Sequence, residues 1–217
     1  MQKTFRSLLC SVFLLCLVPS AALAQVPLSE AGKFDVQPTM TTPLTTSTRG
    51  AQLHFWTKVD SSSFEPSKGD FFMADLENSV GYLVNDHSRQ YVAFPILSGR
   101  RQFSYYLGRY YFAETPDQTW AVKEDNILSD RVTFSKSGRF LRLFDGEKRT
   151  SYGIHGHLYF STMIGRENKY VSYGCVLVDD NILTLIEKSF HANNDFLKVT
   201  TTKDQRAFDF LRIPESI

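Results

Sequence analysis

The sequence has no excess of charge of either sign, and this balance excludes several classes of partner. Its 217 residues carry 24 Lys and Arg against 23 Asp and Glu, a formal net charge of +1. Nucleic acids and anionic membrane surfaces are usually bound through a basic excess or patch, so neither is indicated here. General disorder is excluded as well, because 42% of the residues are hydrophobic and 22% are charged, which is ordinary for one substantial folded domain.

Long hydrophobic runs are also lacking, apart from one at the N-terminus. Residues 7–18 are apolar, follow Lys3 and Arg6, and precede Ala22-Leu23-Ala24, the small-x-small pattern that a signal peptidase cuts. The run is too short to span a bilayer as a stable anchor. We therefore predict that residues 1–24 are a signal peptide and that the protein is exported to the periplasm or cell envelope without a membrane span.

Cysteine is scarce. Cys10 and Cys16 lie in the predicted signal peptide, so Cys175 is the only cysteine of the predicted mature protein and no intramolecular disulfide can form. A free thiol is a hazard in an oxidising compartment, so a retained one suggests a chemical role. The alternative is a buried cysteine that serves as a small apolar side chain, and the count alone leaves both open.

The rest of the chain divides into a linker and a β-rich domain. Residues 25–50 are rich in Thr, Ser and Pro without an apolar period, which predicts a flexible linker. Residues 51–217 form the predicted folded domain, in which short apolar runs alternate with turn residues. The fold class is therefore mainly β, a sandwich or flattened barrel of mixed sheets. Strands are predicted over 52–59, 80–84, 90–97, 131–135, 139–144, 148–155 and 195–202.

One main helix and one aromatic segment stand out. After Asp179-Asp180, apolar residues recur at helical spacing from Ile182 to Phe190, and Asn193-Asn194 can end the helix. The aromatic residues of 103–112 fit strands, and their packing on a sheet is favoured over a Tyr-lined substrate groove.

The residues with catalytic potential are a histidine and a cysteine with glycine beside each. His155-Gly156 ends a predicted strand, and Ser172-Tyr173-Gly174-Cys175 forms a tight loop before the helix. A thiol needs a neighbouring imidazole or other cation to act as a thiolate nucleophile at neutral pH. Gly174 permits a strained turn and close approach of a substrate, and backbone N–H groups at such a turn are natural oxyanion donors. Because His precedes Cys, a papain-type peptidase is disfavoured.

These residues resemble the active-site signature of the L,D-transpeptidase catalytic domain of the YkuD type. Tyr152-Gly153-Ile154-His155-Gly156 and Ser172-Tyr173-Gly174-Cys175-Val176 match the family pattern of His, 14 to 17 residues, then Ser/Thr-x-Gly-Cys, and here residues 156–171 separate His155 from Ser172. Residues 82–86 and 91–99 resemble the opening hairpin of the family. The resemblance covers roughly residues 76–203 and implies an L,D-transpeptidase-like fold for the domain.

The resemblance implies acyl transfer on peptidoglycan stem peptides, with release of the terminal D-Ala of a tetrapeptide stem. Cys175 is then the nucleophile and His155 the base, while the N–H groups of Gly174 and Cys175 hold the oxyanion. Gly156, Ser172 and Tyr173 are implied to bind substrate or hold the imidazole. The acceptor is another stem, an envelope lipoprotein lysine or a free D-amino acid. The alternatives are an L,D-carboxypeptidase or other hydrolase on the same thioester, and a catalytically weak peptidoglycan-binding protein.

No metal or organic cofactor is implied. A His-x-His site formed by His155 and His157 with Asp179 or Asp180 is disfavoured, because no further His or Cys ligand lies nearby in the sequence. The chain also departs from the family pattern at Leu177, where an Arg is usual. If the usual Arg binds a stem carboxylate, either the donor here has an amidated or absent carboxylate, or another cation such as Arg100 or Arg109 takes that role. The alternative is that position 177 packs against the main helix.

Overall fold

The computed structural model describes residues 56–106 and 108–211, and these residues are mainly strands. The strands in the described residues are β1 (Thr57–Lys58), β2 (Asp70–Asp75), β3 (Val80–Asn85), β4 (Gln90–Pro95), β5 (Ser98–Gly99), β6 (Phe103–Tyr106), β7 (Arg109–Phe112), β8 (Gln118–Ile127), β9 (Arg139–Asp145), β10 (Lys148–His155), β11 (Tyr170–Ser172), β12 (Val176–Leu177) and β13 (Leu197–Thr202). The helices are α1 (Phe160–Ile164), α2 (Asp180–Ala192) and a 3₁₀ helix (Gln205–Leu211).

Nine of these strands form one mixed sheet in the order β1-β4-β3-β2-β13-β8-β9-β10-β12. The pairs β1–β4, β2–β13 and β10–β12 are parallel, and the other neighbours are antiparallel. Strands β5 and β11 form a separate parallel pair, and β6 and β7 a separate antiparallel ribbon. The predicted mainly β fold of mixed strands with one main helix is therefore confirmed.

The main core lies between one face of the large sheet and α2. Asp179 accepts a hydrogen bond from the Asn181 N–H at 2.9 Å and caps the N-terminus of α2, as the sequence predicts. The buried face of α2 then packs on residues from both halves of the sheet, including Ile154 and Val176. The apolar periodicity of α2 thus fixes which face of β10 and β12 is turned toward the helix.

Most predicted strands are confirmed, and one is wrong. The hairpin β3–β4, the hairpin β9–β10 and the strand β13 agree with the sequence. Residues 131–135 are turns rather than a strand, because the Asp130 carboxylate accepts the N–H groups of Val132 and Thr133 at 2.9 and 3.0 Å. These bonds curl the backbone, and β9 pairs instead with β8.

The aromatic segment forms the predicted strands but not the predicted packing. Strands β6 and β7 pair only with each other, and Phe103 and Tyr110 are 76% and 78% exposed. The rings contact each other across the ribbon, with Tyr105 and Tyr110 centroids 4.9 Å apart. The rings therefore pack on each other within a two-stranded ribbon, and the prediction that they pack on a sheet is wrong for the exposed rings.

Some sequence predictions fall outside the described residues. The signal peptide of 1–24 and the linker of 25–50 lie there entirely, and of the strand over 52–59 the structure describes only the part that includes β1. Within residues 56–106 and 108–211, every helix is too short or too polar to cross a bilayer.

Candidate active site

A hydrogen-bonded turn presents Cys175 between β11 and β12. Ser172 Oγ accepts the Gly174 N–H at 3.0 Å and donates to the Cys175 carbonyl at 2.6 Å. Gly174 has a φ of +115°, and a Cβ at this position would lie 2.5 Å from the Tyr152 ring. The turn therefore requires glycine at position 174 for both its backbone conformation and its contact with Tyr152.

Parallel pairing places Cys175 beside the strand that carries His155. Ile154 pairs with Val176 and His155 with Leu177, so Cys175 lies level with Gly153 just before β12 begins. Because side chains alternate along strands, Cys175 and His155 share the sheet face opposite α2. Standard strand spacing puts their Cα atoms about 8 Å apart.

His155 is buried and oriented by its own backbone neighbour. The residue is 4% exposed, and its ring contacts the rings of Phe134 and Phe140. Its Nδ1 lies 2.7 Å from the Gly156 carbonyl oxygen, and since a carbonyl only accepts, Nδ1 carries the proton in this contact. Burial lowers the pKa of His155 to about 4, although backbone hydrogen bonds with Gly156 and Thr133 act in the other direction. The imidazole is therefore neutral at pH 7.

Cys175 is half-buried, and its thiol is protonated in this arrangement. Its Sγ lies 3.9 Å from the Ser151 carbonyl oxygen. Burial raises the pKa of Cys175 to about 11, opposed by a hydrogen bond from the Gly153 backbone and by the charge of Arg142. Within the described part of the chain, Cys175 and His155 share no hydrogen bond. The structure thus brings the two residues to one face as a neutral thiol and a neutral imidazole.

Arg142 is a residue of this site that the sequence reasoning missed. It pairs with Gly153 across β9 and β10, and its positive charge lowers the pKa of the Cys175 thiol, which lies level with Gly153 on the other side of β10. Asn126 Oδ1 at 3.2 Å and the Thr150 carbonyl at 2.8 Å hold the guanidinium, which also lies 4.8 Å from the centroid of Phe140. Only the pairing register reveals this neighbour, since 33 positions separate Arg142 from Cys175 in the sequence.

Tyr173 is covered by two other elements. Its ring stacks on Tyr106 of β6 at 4.7 Å, and the Arg100 guanidinium lies 4.1 Å from its centroid. Tyr111 of β7 donates to the Tyr173 carbonyl at 2.9 Å. The exposed aromatic ribbon β6–β7 is therefore anchored on the cysteine turn.

Leu177 is 2% exposed and packs against Leu97 and Phe160. This cluster lies on the face opposite the main core, so the expected contact of position 177 with α2 is wrong. An arginine side chain here would place its charge among apolar groups.

Gly156 provides the carbonyl that orients His155, and it also touches the start of α2. A Cβ at Gly156 would overlap the Asp180 carboxylate, which accepts a hydrogen bond from Ser135. Glycine at this position therefore allows β10 to end directly against the helix.

The two histidines of the disfavoured His-x-His site each have a hydrogen-bond partner in the chain. His157 Nδ1 accepts the Tyr159 N–H at 3.1 Å, while His155 bonds to the Gly156 carbonyl. Ligand atoms that could hold a metal gather elsewhere, where Asp125, Glu187 and His191 have atoms within 4.8 Å of one another. Ordinary contacts already engage this group, because Arg139 pairs with Glu187 at 2.7 Å and Asp195 with His191 at 2.7 Å.

Comparison with known proteins gives one structural likeness to report. No family model matches the chain, and no curated protein matches it by sequence. The crystal structure of an L,D-transpeptidase from Xylanimonas cellulosilytica DSM 15894 aligns at 20% sequence identity with a TM-score of 0.44. The alignment covers 64% of this chain and 62% of that chain, less than two thirds of either. At this identity and TM-score the likeness carries no inference about residues or reaction.

Substitution of Gly174 by Ala tests the construction of the turn. We expect Gly174→Ala to lower the free energy of unfolding by at least about 2 kcal/mol, because the substitution combines a left-handed backbone with overlap of the Tyr152 ring. Gly69→Ala is the matched control, since Gly69 has a φ of +98° and open space around its Cβ position. Denaturant unfolding measures both, and equal losses would contradict the packing argument.

The buried imidazole predicts a pH dependence of stability. Because the folded-state pKa of His155 is about 4 and the unfolded value is 6.5, the unfolded chain binds more protons between these values. The stability is present in full above pH 6.5 and falls by about 1.4 kcal/mol per unit as pH decreases toward 4. His155→Gln should remove this part of the slope in urea unfolding between pH 7 and 4.5. Identical slopes in the two proteins would show that His155 titrates normally.

Proposed function

We propose that this protein is a peptidoglycan L,D-transpeptidase that uses Cys175 as its nucleophile and His155 as its base. The observation that carries the proposal is the meeting of the two motif halves on one sheet face, with the imidazole oriented by the Gly156 carbonyl. The sequence signature supplies the substrate class. Export to the periplasm or cell envelope is part of the same proposal.

The reaction forms and breaks one thioester. Cys175 Sγ attacks the carbonyl of the third residue of a tetrapeptide stem while its proton passes to His155. The tetrahedral intermediate collapses, His155 protonates the departing amine, and D-Ala leaves. An amine from another stem, a lipoprotein lysine or a free D-amino acid then attacks the thioester, and its proton returns through His155 to the thiol. No metal or organic cofactor takes part in these steps.

The turn around Cys175 can stabilise the oxyanion once the Gly174 N–H exchanges its present hydrogen-bond acceptor for the substrate oxygen. The Gly174 N–H is donated to Ser172 Oγ in the resting structure, so a substrate oxygen would have to replace this hydroxyl. The Cys175 N–H is the second donor of the proposal. In the resting structure the Ser172 hydroxyl therefore accepts the hydrogen bond that the substrate oxyanion would accept during the reaction.

A second candidate is a peptidoglycan-binding protein with little turnover. It is favoured by the separation of the two titrating groups, since the pKa of Cys175 exceeds that of His155 by about seven. Proton transfer from thiol to imidazole is strongly uphill in this arrangement. A hydrolase would use the same thioester and would differ from the transferase only because water is the acceptor.

Product analysis separates these functions. Incubation with disaccharide-tetrapeptide followed by mass spectrometry should give a cross-linked dimer, and Cys175→Ala should abolish it because the nucleophile is lost. The turnover loss should exceed about a thousandfold. Circular dichroism should show an unchanged fold, since the thiol is half-buried rather than central to the core.

The other possible product patterns each identify a different function. Bare tripeptide alone would assign the hydrolase, and binding without any product would assign the binding protein. Turnover retained by folded Cys175→Ala would contradict every mechanism that uses this cysteine.

Arg142 should tune the reactivity of the thiol. Its positive charge favours the thiolate, so Arg142→Gln should raise the pKa of Cys175 and slow alkylation by iodoacetamide at pH 9 by about threefold or more. Arg142→Lys retains the charge and should lose less. Arg149→Gln is the control, because Arg149 pairs with the same carboxylate, Glu124, without acting on the thiol. Equal rates in all four proteins would overturn the role of Arg142.

A further inference from the structure

A cavity of about 700 Å³ opens beside the cysteine turn, on the side of α1 and β11. We call it the arginine cavity, because its lining includes Arg100, Arg101, Arg166, Tyr159, Tyr170 and Val171. Its volume lies within the range of small-ligand sites in proteins. The lining contains three arginines and neither Asp nor Glu.

Two of the three guanidinium groups have no carboxylate partner among the residues that the structure describes. Arg101 is neutralised by Glu77 at 3.1 Å and Glu114 at 3.7 Å. Among the described residues, no carboxylate lies within ion-pair distance of Arg100 or Arg166. The cavity is therefore positive in a chain whose overall net charge is only +1.

Arg100 is held in place while part of its hydrogen-bonding capacity is unused. Its Nη2 donates to the Val171 carbonyl at 2.9 Å, and the guanidinium carbon lies 4.1 Å from the centroid of the Tyr173 ring. Its Nε is buried and has no partner in the described structure. A guanidinium held in this way is suited to an oxyanion, because little side-chain entropy remains to be lost on binding.

The cavity shares a wall with the candidate active site. Val171 and Met163 line the cavity and also belong to the apolar cluster that contacts Cys175. Arg100 links the two places a second time through Tyr173, two residues before the nucleophile. The cavity and the cysteine turn are therefore neighbours in the structure.

We propose that the arginine cavity binds carboxylate groups of the peptide stem whose carbonyl Cys175 attacks. Arg100 and Arg166 recognise the carboxylates, and the rings of Tyr159 and Tyr170 flank the peptide. This inference rests on the proposed function for the identity of the ligand, but the anion preference follows from the cavity itself.

Binding measurements with a matched pair of peptides test the inference. Cys175→Ala protein, which cannot turn over the stem, is titrated calorimetrically with a tetrapeptide stem and with the same peptide amidated at its carboxylates. We expect the amidated peptide to bind about tenfold or more weakly, since it loses the charge-assisted contacts. Added NaCl should weaken only the binding of the free-acid peptide.

Variants locate the effect in the cavity. Arg166→Gln should reduce affinity for the free-acid peptide by about three- to tenfold and leave the amidated peptide unaffected, because Arg166 is exposed and serves no contact of the fold through its guanidinium. Arg100→Lys should weaken the same peptide by losing the planar fork while retaining the charge. Lys198→Gln, an equal loss of charge at an exposed position of β13 outside the lining, should change neither affinity.

The outcomes distinguish the cavity from the catalytic proposal. Turnover of tetrapeptide by the unsubstituted protein, combined with equal binding of both peptides, overturns the cavity assignment and leaves the function intact. Carboxylate-dependent binding that Arg166→Gln weakens, without any turnover by the unsubstituted protein, supports the cavity and overturns the transpeptidase. Displacement of the stem by inorganic phosphate at equal concentration would assign a general anion site and overturn the peptide assignment.

Discussion

The parallel pairing of β10 with β12 is the constraint on which the candidate site depends. It places Cys175 level with Gly153 and two positions from His155 on the same face. Positions 153 and 174 require glycine, because aromatic rings occupy the space that a Cβ would take. The Phe140 ring lies there at Gly153, and the Tyr152 ring lies there at Gly174. The sheet can therefore bring the cysteine turn against β10 only because two side chains are absent there.

This packing has an electrostatic consequence. The apolar surroundings favour the uncharged forms of both groups, and the pKa of His155 and that of Cys175 move apart. A thiolate–imidazolium pair therefore has a high free energy in the resting arrangement, because burial disfavours both charged forms. A productive complex would have to supply part of this energy by moving the imidazole toward the thiol or by adding positive charge. Arg142 already lies where such a charge would act on the thiolate.

The sequence predicts the features that depend on local pattern. The hairpins, the helix α2 with its Asp179 cap, and the glycine of the cysteine turn were all readable from spacing and turn residues. The turns at 131–135 were not, because Asp130 diverts the backbone of a segment that otherwise has a β composition. Strand β8 was not predicted, because its composition is not typical of a strand. The polar residues Lys123-Glu124-Asp125-Asn126 interrupt the alternation of apolar and polar residues.

The features that the sequence could not provide all depend on register between distant strands. The approach of Arg142 to Cys175 requires the pairing of β9 with β10, and the charge of the arginine cavity depends on Glu77 and Glu114 reaching Arg101 rather than Arg100. Exposure of the β6–β7 rings likewise results from the ribbon's pairing with itself instead of with the main sheet. The sequence shows that these charged and aromatic residues are present, but the tertiary packing determines which of them are in contact.

The position of Leu177 gives this register a chemical meaning. Two residues after the cysteine, the chain enters an apolar cluster with Leu97 and Phe160, which would oppose a guanidinium at that place. Across β10 from Cys175, Arg142 of β9 pairs with Gly153, and its positive charge lowers the pKa of the Cys175 thiol. The positive charge that acts on the thiol comes instead from β9, where Asn126 and Glu124 hold the Arg142 guanidinium. Because the cation comes from β9, position 177 can hold an apolar residue that packs with Leu97 and Phe160. The residue that stabilises β12 and the residue that places a positive charge near the nucleophile are therefore at different positions.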